Sequence, residues 1–495
     1  MLLHHWFERN ARERGDHVAL ICDGQRYTYA HLDSQAHALA RTLQSAGVQR
    51  GDRVAIYLEN CVEAVVSIFA TLKIGGVFMP VNPQVKADKL TYLLNDSEAH
   101  SLIAHGTFAE TLAKALQGVG ALRTLVMVQP PSTTVAGRPV TSFADAVANE
   151  GGQLQQPPTI DQDLASIIYT SGSTGDAKGV MVTHLNMVTA ATSISTYLGL
   201  VPDDIILNVL PVAFDYGLYQ ILMASRVGAT LVLQRSLAFP VKVLETMVRE
   251  KVTVLPGVPT VFSMLLNLSS FRNYDLSALR LVTNTAAALS EAQIRDIRAS
   301  FPTATLFSMY GLTECKRVTY LPPDQLDVRP MSVGKGMPNE EVWLIDEHGQ
   351  RLPNGSTGEL VVRGSHVMRG YWRKPQQTAE RLKPGDLPGE MHLHTGDIFR
   401  TDEEGYLYFV ARKDDIIKSR GEKVSPREVE NVLYKLEGVL EAAVIGVADE
   451  VLGEAVKAFV VLKEGYVWTE RDVIKHCLAH LESFMAPKQV VFMTA

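Results

Sequence analysis

Residues 170–179, TSGSTGDAKG, place three glycines, four hydroxyl side chains and one lysine in ten positions, directly after the apolar Ile167-Ile168-Tyr169. A glycine-rich turn can aim several backbone N–H groups into one concavity, and hydroxyls with an ammonium complete an anion site. Thr170, Ser171, Gly172, Ser173, Thr174, Gly175 and Lys178 are therefore candidates for gripping phosphate. Two common phosphate loops do not fit. A Walker A loop requires GxxxxGK[ST], and here Gly175 is followed by Asp176. A dinucleotide fingerprint requires GxGxxG, which Gly172, Gly175 and Gly179 do not match. On these ten residues alone, a solvent loop of the same composition stays open.

Composition narrows the classes of protein that could carry such a loop. The chain has 495 residues, 46% hydrophobic and 20% charged, which exceeds one compact core and predicts two or more domains. Net charge is −7 and the basic residues are dispersed, so no nucleic-acid footprint is expected. Cys22, Cys61, Cys315 and Cys477 show no metal or disulfide spacing and fit a reducing compartment. His392 and His394 lack the accompanying ligands of a metal site. No signal-peptide core or membrane-length apolar run is present, so the sequence predicts a cytoplasmic enzyme without a membrane partner.

The elements that must position the loop read as α/β layers. The runs at 54–58 (VAIYL) and 125–128 (LVMV) predict buried strands, and 164–169 predicts the strand leading into the glycine stretch. Thr183 is placed to cap the helix that follows. Residues 333–410 turn β-rich, with NG, DEEG and PG turns. Near the end, Ser425-Pro426-Arg427-Glu428 reads as a capping box, and Val429, Val432, Leu433 and Leu436 share one helical face. Val473, Ile474, Cys477, Leu478 and Leu481 do the same in a second helix. The charged stretch ARKDD at 411–415 marks the boundary between domains 1–411 and 412–495.

Six blocks in order decide between the two readings of the loop. They are IIYTSGSTGDAKGVMVTH, Phe214-Asp215, MYGLTE (309–314), GELVVRGSHVMRGYW (358–372), HTGD (394–397) and ARKDDIIKSRGEKVSPREVE (411–430). Together they resemble the adenylate-forming superfamily of acyl-CoA synthetases, nonribosomal-peptide adenylation domains and luciferases, over essentially the whole chain. The resemblance implies a large, multi-subdomain α/β N-terminal domain and a small, mobile α+β C-terminal domain. It implies attack of a carboxylate on the α-phosphorus of ATP, with Mg²⁺.

By the same resemblance Lys178 and the loop hydroxyls hold the β- and γ-phosphates. Tyr310 and Gly311 flank the adenine, with Thr285 nearby, and Thr313 meets the α-phosphate. Glu314 holds Mg²⁺, as suits a carboxylate and a hard cation. Asp397 and Arg412 meet the ribose, and Asp414 is the hinge. Asp215, Tyr216, Tyr219, Asn284, Met309, Arg317 and Val318 line the substrate pocket. Two departures stand out. Relatives carry a glycine-rich loop where this chain reads NTAAALS (284–290). The family's catalytic lysine follows a Pro-Lys dipeptide, yet after Pro487-Lys488 the sequence reads QVVFMTA and stops, which suggests a truncated chain.

An ionised Asp215 without an internal partner would be a costly buried charge, and a substrate ammonium would satisfy it. That argument favours an amino acid over a fatty acid, unless Asp215 only caps a helix. FDYGLYQ and YGLTECKRVTYLPP resemble the free-standing L-prolyl-AMP ligases, which load a separate carrier protein through its phosphopantetheine thiol. The expected function is thus adenylation of proline and transfer to a carrier. The rivals are a CoA ligase for a small carboxylic acid and a non-catalytic nucleotide binder.

Overall fold

The computed structural model describes every residue except 149–152, 171–176, 414, 420–421, 450–452, 482 and 495. Two large sheets dominate. In one, the strands Thr305–Tyr310, Leu281–Asn284, Val254–Gly257, Ile205–Asn208, Thr230–Leu233 and Val18–Cys22 lie side by side and parallel. In the other, Leu164–Thr170, Val77–Pro80, Arg53–Tyr57, Ser101–His105 and Thr124–Val128 run parallel, and Lys178–Thr183 closes back antiparallel onto the first of them. Val77–Pro80 is buried along its whole length, as expected of a parallel strand covered on both faces. The predicted strands at 54–58, 125–128 and 164–169 are all present.

The helices Tyr29–Ser45, Val62–Lys73, His184–Tyr197 and Asp215–Val227 bury Leu39, Phe69, Ile194 and Leu222 in one core. That core also takes Leu231 from one sheet and Phe78 from the other. Thr183 caps as predicted: its side chain accepts from the Asn186 N–H and the helix starts at His184. The expected β-rich region forms a third sheet centred on the strand Met391–Thr401.

Chain 417–493 builds a fourth sheet with its own apolar core, including Val424, Leu433, Val460 and Cys477. The helix Pro426–Leu433 starts where its sequence says. Ser425 accepts from the Glu428 N–H, and Val429, Val432, Leu433 and Leu436 are buried. In the helix Glu470–His480, Val473 and Cys477 are buried, but Leu478 is exposed, being one residue further round the helix than the contact face. The architecture is a large N-terminal α/β body with a small C-terminal α+β unit, as expected. Among the described residues no helix is long and apolar enough to cross a membrane.

Candidate active site

The parallel strands Leu281–Asn284 and Thr305–Tyr310 end side by side, with Asn284 opposite Ser308. Ligands in open α/β sheets gather at such carboxyl ends. Tyr310 begins a tight return that brings Val318 N–H to the Tyr310 carbonyl at 2.9 Å. Gly311 permits it, because a Cβ there would stand 2.3 Å from the Lys316 carbonyl oxygen. Lys316 turns the chain with a φ of 67°, in the left-handed region. The segment 309–318 thereby faces three neighbours: the phosphate-loop strands, the third sheet and the helix that starts at Asp215.

Toward the phosphate-loop strands, Thr170 lies opposite Lys178 across an antiparallel pair. Ser171, Gly172, Ser173, Thr174 and Gly175 lie outside the described residues. Lys178 Nζ sits over the Tyr371 ring, 5.5 Å from its centroid. The Tyr371 hydroxyl in turn donates to Glu314 Oε1 at 2.6 Å. Tyr371 is fixed by the backbone, since Gly370–Tyr371 pairs with the Lys178–Thr183 strand. Burial, then the Glu314 carboxylate, pushes the Tyr371 phenol far above its ordinary range, so it stays a proton donor. Thr313, half-buried, lies beside Glu314 on the same return.

Toward the third sheet, the Tyr310 hydroxyl donates to Asp397 Oδ2, and its ring meets Phe399 edge-on at 4.8 Å. Asp397 and Arg412 are register partners on adjacent strands, with Arg412 Nε 4.0 Å from Asp397 Oδ1. Burial raises the Asp397 carboxyl, while the Tyr310 hydrogen bond and the Arg412 charge oppose that rise. Nearby, Ala286 adopts a φ of 71° and Thr285 is buried. The turn is fastened by Asn284 Nδ2 donating to the Ala287 carbonyl at 2.9 Å. Arg427 Nη2, from the C-terminal unit, reaches the Ala288 carbonyl at 3.2 Å. Asp414 lies outside the described residues.

The third neighbour brings a correction. Asp215 occupies the first turn of its helix, whose close approach to the Pro211 carbonyl leaves no room for a Cβ at Gly217. Its carboxylate is not left for a substrate ammonium: Lys316 Nζ lies 3.5 Å from Oδ2 and is itself buried. The ammonium also rests over the rings of Tyr219 (4.6 Å) and Tyr216 (5.3 Å). Burial lowers Lys316 to about 7, with Asp215 pulling the other way. The premise of an unpaired Asp215, on which the amino-acid argument stood, therefore fails.

Beside that pair sits Arg317, 1% exposed, its guanidinium 5.4 Å from the Tyr216 ring. Its Nε and Nη1 have no hydrogen-bond partner. Tyr216 is held by its hydroxyl on Thr283 Oγ1 at 2.7 Å. Met309 receives the Tyr197 hydroxyl on its sulfur at 2.9 Å, and Val318 is fully buried. Lys316 and Tyr371 were not singled out in the sequence, although both stand inside quoted blocks. Lys316 directly precedes Arg317, and Tyr371 is the first of two aromatics in the Gly-Tyr-Trp ending.

A family model described as AMP-binding enzyme matches residues 7–372, and the AMP-binding enzyme C-terminal domain matches 428–495. The chain belongs to the AMP-binding enzyme family. It is 32% identical over 513 residues to a long-chain-fatty-acid–CoA ligase of Salmonella typhimurium (strain LT2), covering 98% of this chain and 90% of that protein. A CoA ligase of Rhodococcus jostii (strain RHA1) for 3-[(3aS,4S,7aS)-7a-methyl-1,5-dioxo-octahydro-1H-inden-4-yl]propanoate is also 32% identical, over 498 residues, covering 98% and 94%. Among solved structures, the anthranilate CoA ligase AuaEII with anthranoyl-AMP superposes with a TM-score of 0.90 at 27% identity, covering 100% of this chain and 94% of that one.

This AMP-binding enzyme is thus an adenylate-forming, AMP-forming ligase, and ATP with Mg²⁺ is its cofactor pair. The donor set fits. Glu314 Oε1 takes one hydrogen bond, and a carboxylate has about four lone-pair positions, so the group still suits a hard cation.

Proposed function

We propose that this AMP-binding enzyme is an acyl-CoA ligase that adenylates a carboxylic acid and passes the acyl group to the thiol of CoA. The observation that carries this reading is the Asp215–Lys316 pair. A carboxylate already neutralised from within needs no substrate ammonium, so the pocket is built for an acid rather than for proline. The relatives named above, all CoA ligases, support CoA as acceptor over a carrier protein.

The residues divide the work as follows. Lys178 neutralises the β- and γ-phosphates. Thr313 hydrogen-bonds the α-phosphate, Asp397 and Arg412 hold the ribose hydroxyls, and Tyr310 with Gly311 and Thr285 borders the adenine. Glu314 would hold Mg²⁺, which would supply positive charge to offset the negative charge spreading over the phosphates. The substrate carboxylate oxygen attacks the α-phosphorus as the bond to the β-phosphate oxygen breaks and pyrophosphate leaves. The CoA thiolate then attacks the acyl carbon and AMP leaves. Aligning the carboxylate with the α-phosphorus accounts for much of the rate in such a reaction. Asp215, Tyr216, Tyr219, Asn284, Met309, Arg317 and Val318 form the acyl pocket. The division at 411/412, with Asp414 as hinge, belongs to the same proposal. It is supported by the gap between the two family matches and by the separate core of the C-terminal unit.

The test is ATP–pyrophosphate exchange and hydroxamate trapping over a panel of carboxylic and amino acids, followed by thioester formation with CoA. Carboxylic acids should support exchange, and CoA should accept the product. Exchange driven by proline, with no response to plain acids, would overturn the reading.

A further inference from the structure

Arg317 stands out among the buried groups of the acyl pocket. It is among the largest fully buried side chains in the protein, yet two of its three guanidinium nitrogens find no acceptor. Buried donors are normally paired, and a buried cation without an anion is costlier than a neutral donor left alone. The π face of Tyr216 lies on one side of the group but offers no acceptor in the guanidinium plane.

The charge balance around it is equally lopsided. Two basic side chains, Lys316 and Arg317, lie 5.3 and 5.4 Å from the Tyr216 ring centroid. One carboxylate, Asp215, is near, and it is paired with Lys316. Glu340 faces His366 Nε2 at 2.8 Å and forms no ion pair with Arg317, and burial pushes its carboxyl well above the ordinary range. The phenols of Tyr197, Tyr216 and Tyr219, which face the same region, are all pushed up by burial and carry no charge. Among the described residues no carboxylate pairs with Arg317.

Resting on the acyl-CoA ligase reading above, we infer that the acid substrate is a dicarboxylic acid whose far carboxylate is received by Arg317. One carboxylate end attacks the α-phosphorus. The other accepts from one unmatched N–H of the guanidinium, at Nη1 or at Nε, a charge-assisted hydrogen bond to a buried cation. Lys316, committed to Asp215, sets the charge of the pocket rather than binding the acid end directly. Arg317 is thus a specificity-determining residue, and a monocarboxylic acid leaves it as unsatisfied as it is without substrate.

The experiment compares straight-chain diacids of three to six carbons with their monomethyl esters in pyrophosphate exchange and hydroxamate trapping on the full chain. At least one diacid should exceed its half-ester about tenfold or more in kcat/KM, the scale of a hydrogen bond to a charged group. Arg317→Met should erase that ratio, chiefly by raising KM for the diacid relative to that for its half-ester. Far-UV circular dichroism and the urea midpoint report that the variant is folded. Half-esters or simple fatty acids used as well as diacids by the unaltered protein would overturn the inference and leave the ligase reading intact. So would a diacid preference that survives Arg317→Met. No exchange with any carboxylic acid would overturn both.

Discussion

Tyr371 donates its hydroxyl proton to Glu314 Oε1 while its ring carries the Lys178 ammonium, so one side chain ties the lysine proposed for the phosphates to the carboxylate proposed for Mg²⁺. The two contacts use different parts of the residue and can be separated. Tyr371→Phe keeps the ring under Lys178 and removes only the bond to Glu314. A hydrogen bond to a charged group contributes about 1.5–3 kcal/mol. We expect adenylation to fall by roughly 10- to 100-fold and the Mg²⁺ requirement to rise, as read from Mg²⁺ titrations of pyrophosphate exchange. Tyr371→Leu should cost more, because Lys178 also loses its support.

Tyr310→Phe should move the acid limb of activity. The Tyr310 hydroxyl is one of the groups holding the Asp397 carboxyl down against burial. Removing it lets the Asp397 pKa climb further, so the ionised form that accepts ribose hydroxyls is lost at a higher pH. The expected result is an alkaline shift of the low-pH limb of kcat/KM for ATP, with little change above neutrality. An unchanged limb would mean that Asp397 does not contact the nucleotide.

Lys316 should make acid binding depend on pH near neutrality. Burial lowers it to about 7, with Asp215 opposing, and Arg317, Tyr216 and Tyr219 complete its surroundings. Below that value the pocket is positive. Above it the lysine is neutral and the excess charge disappears, so KM for an anionic substrate should rise through about pH 7. Lys316→Met should flatten the profile. For stability the sign follows from proton counts. The folded pKa of about 7 lies below the ordinary 10.5, so the unfolded chain binds the extra proton between them. Stability therefore gains from this group as pH rises across that interval, provided the rest of the fold is unchanged.

Ala286 holds a left-handed φ of 71° in the turn after Asn284. Such a conformation costs a non-glycine residue about 1–2 kcal/mol, while glycine adds about 0.4–1 kcal/mol of unfolded-state entropy to overcome. The first effect is the larger, so Ala286→Gly should stabilise slightly, by less than about 1 kcal/mol in urea denaturation. A clear loss of stability would show that the Ala286 methyl packs usefully.

The chain determined by itself whatever is local. Thr183 and Ser425 could be read as caps because a hydroxyl reaches an N–H only three residues away. The buried strands declared themselves as short apolar runs between turns. The blocks around Lys178, Tyr310, Glu314 and Asp397 could be read for the same reason, since each keeps its chemistry within a few consecutive residues. Folding then brings Tyr310 onto Asp397 and Arg412 into register beside it.

The partners of the charges belong to the tertiary structure. Glu314 and Tyr371 are 57 positions apart. Asp215 starts a helix, while the Lys316 that neutralises it stands on a return from a different strand. Whether a buried carboxylate awaits a substrate cation depends on what lies within a few ångströms of it, and sequence order does not encode that distance. The family and the direction of its chemistry follow from contiguous residues. Which buried groups are left without partners is decided where distant segments meet, and in this fold Arg317 is one of them.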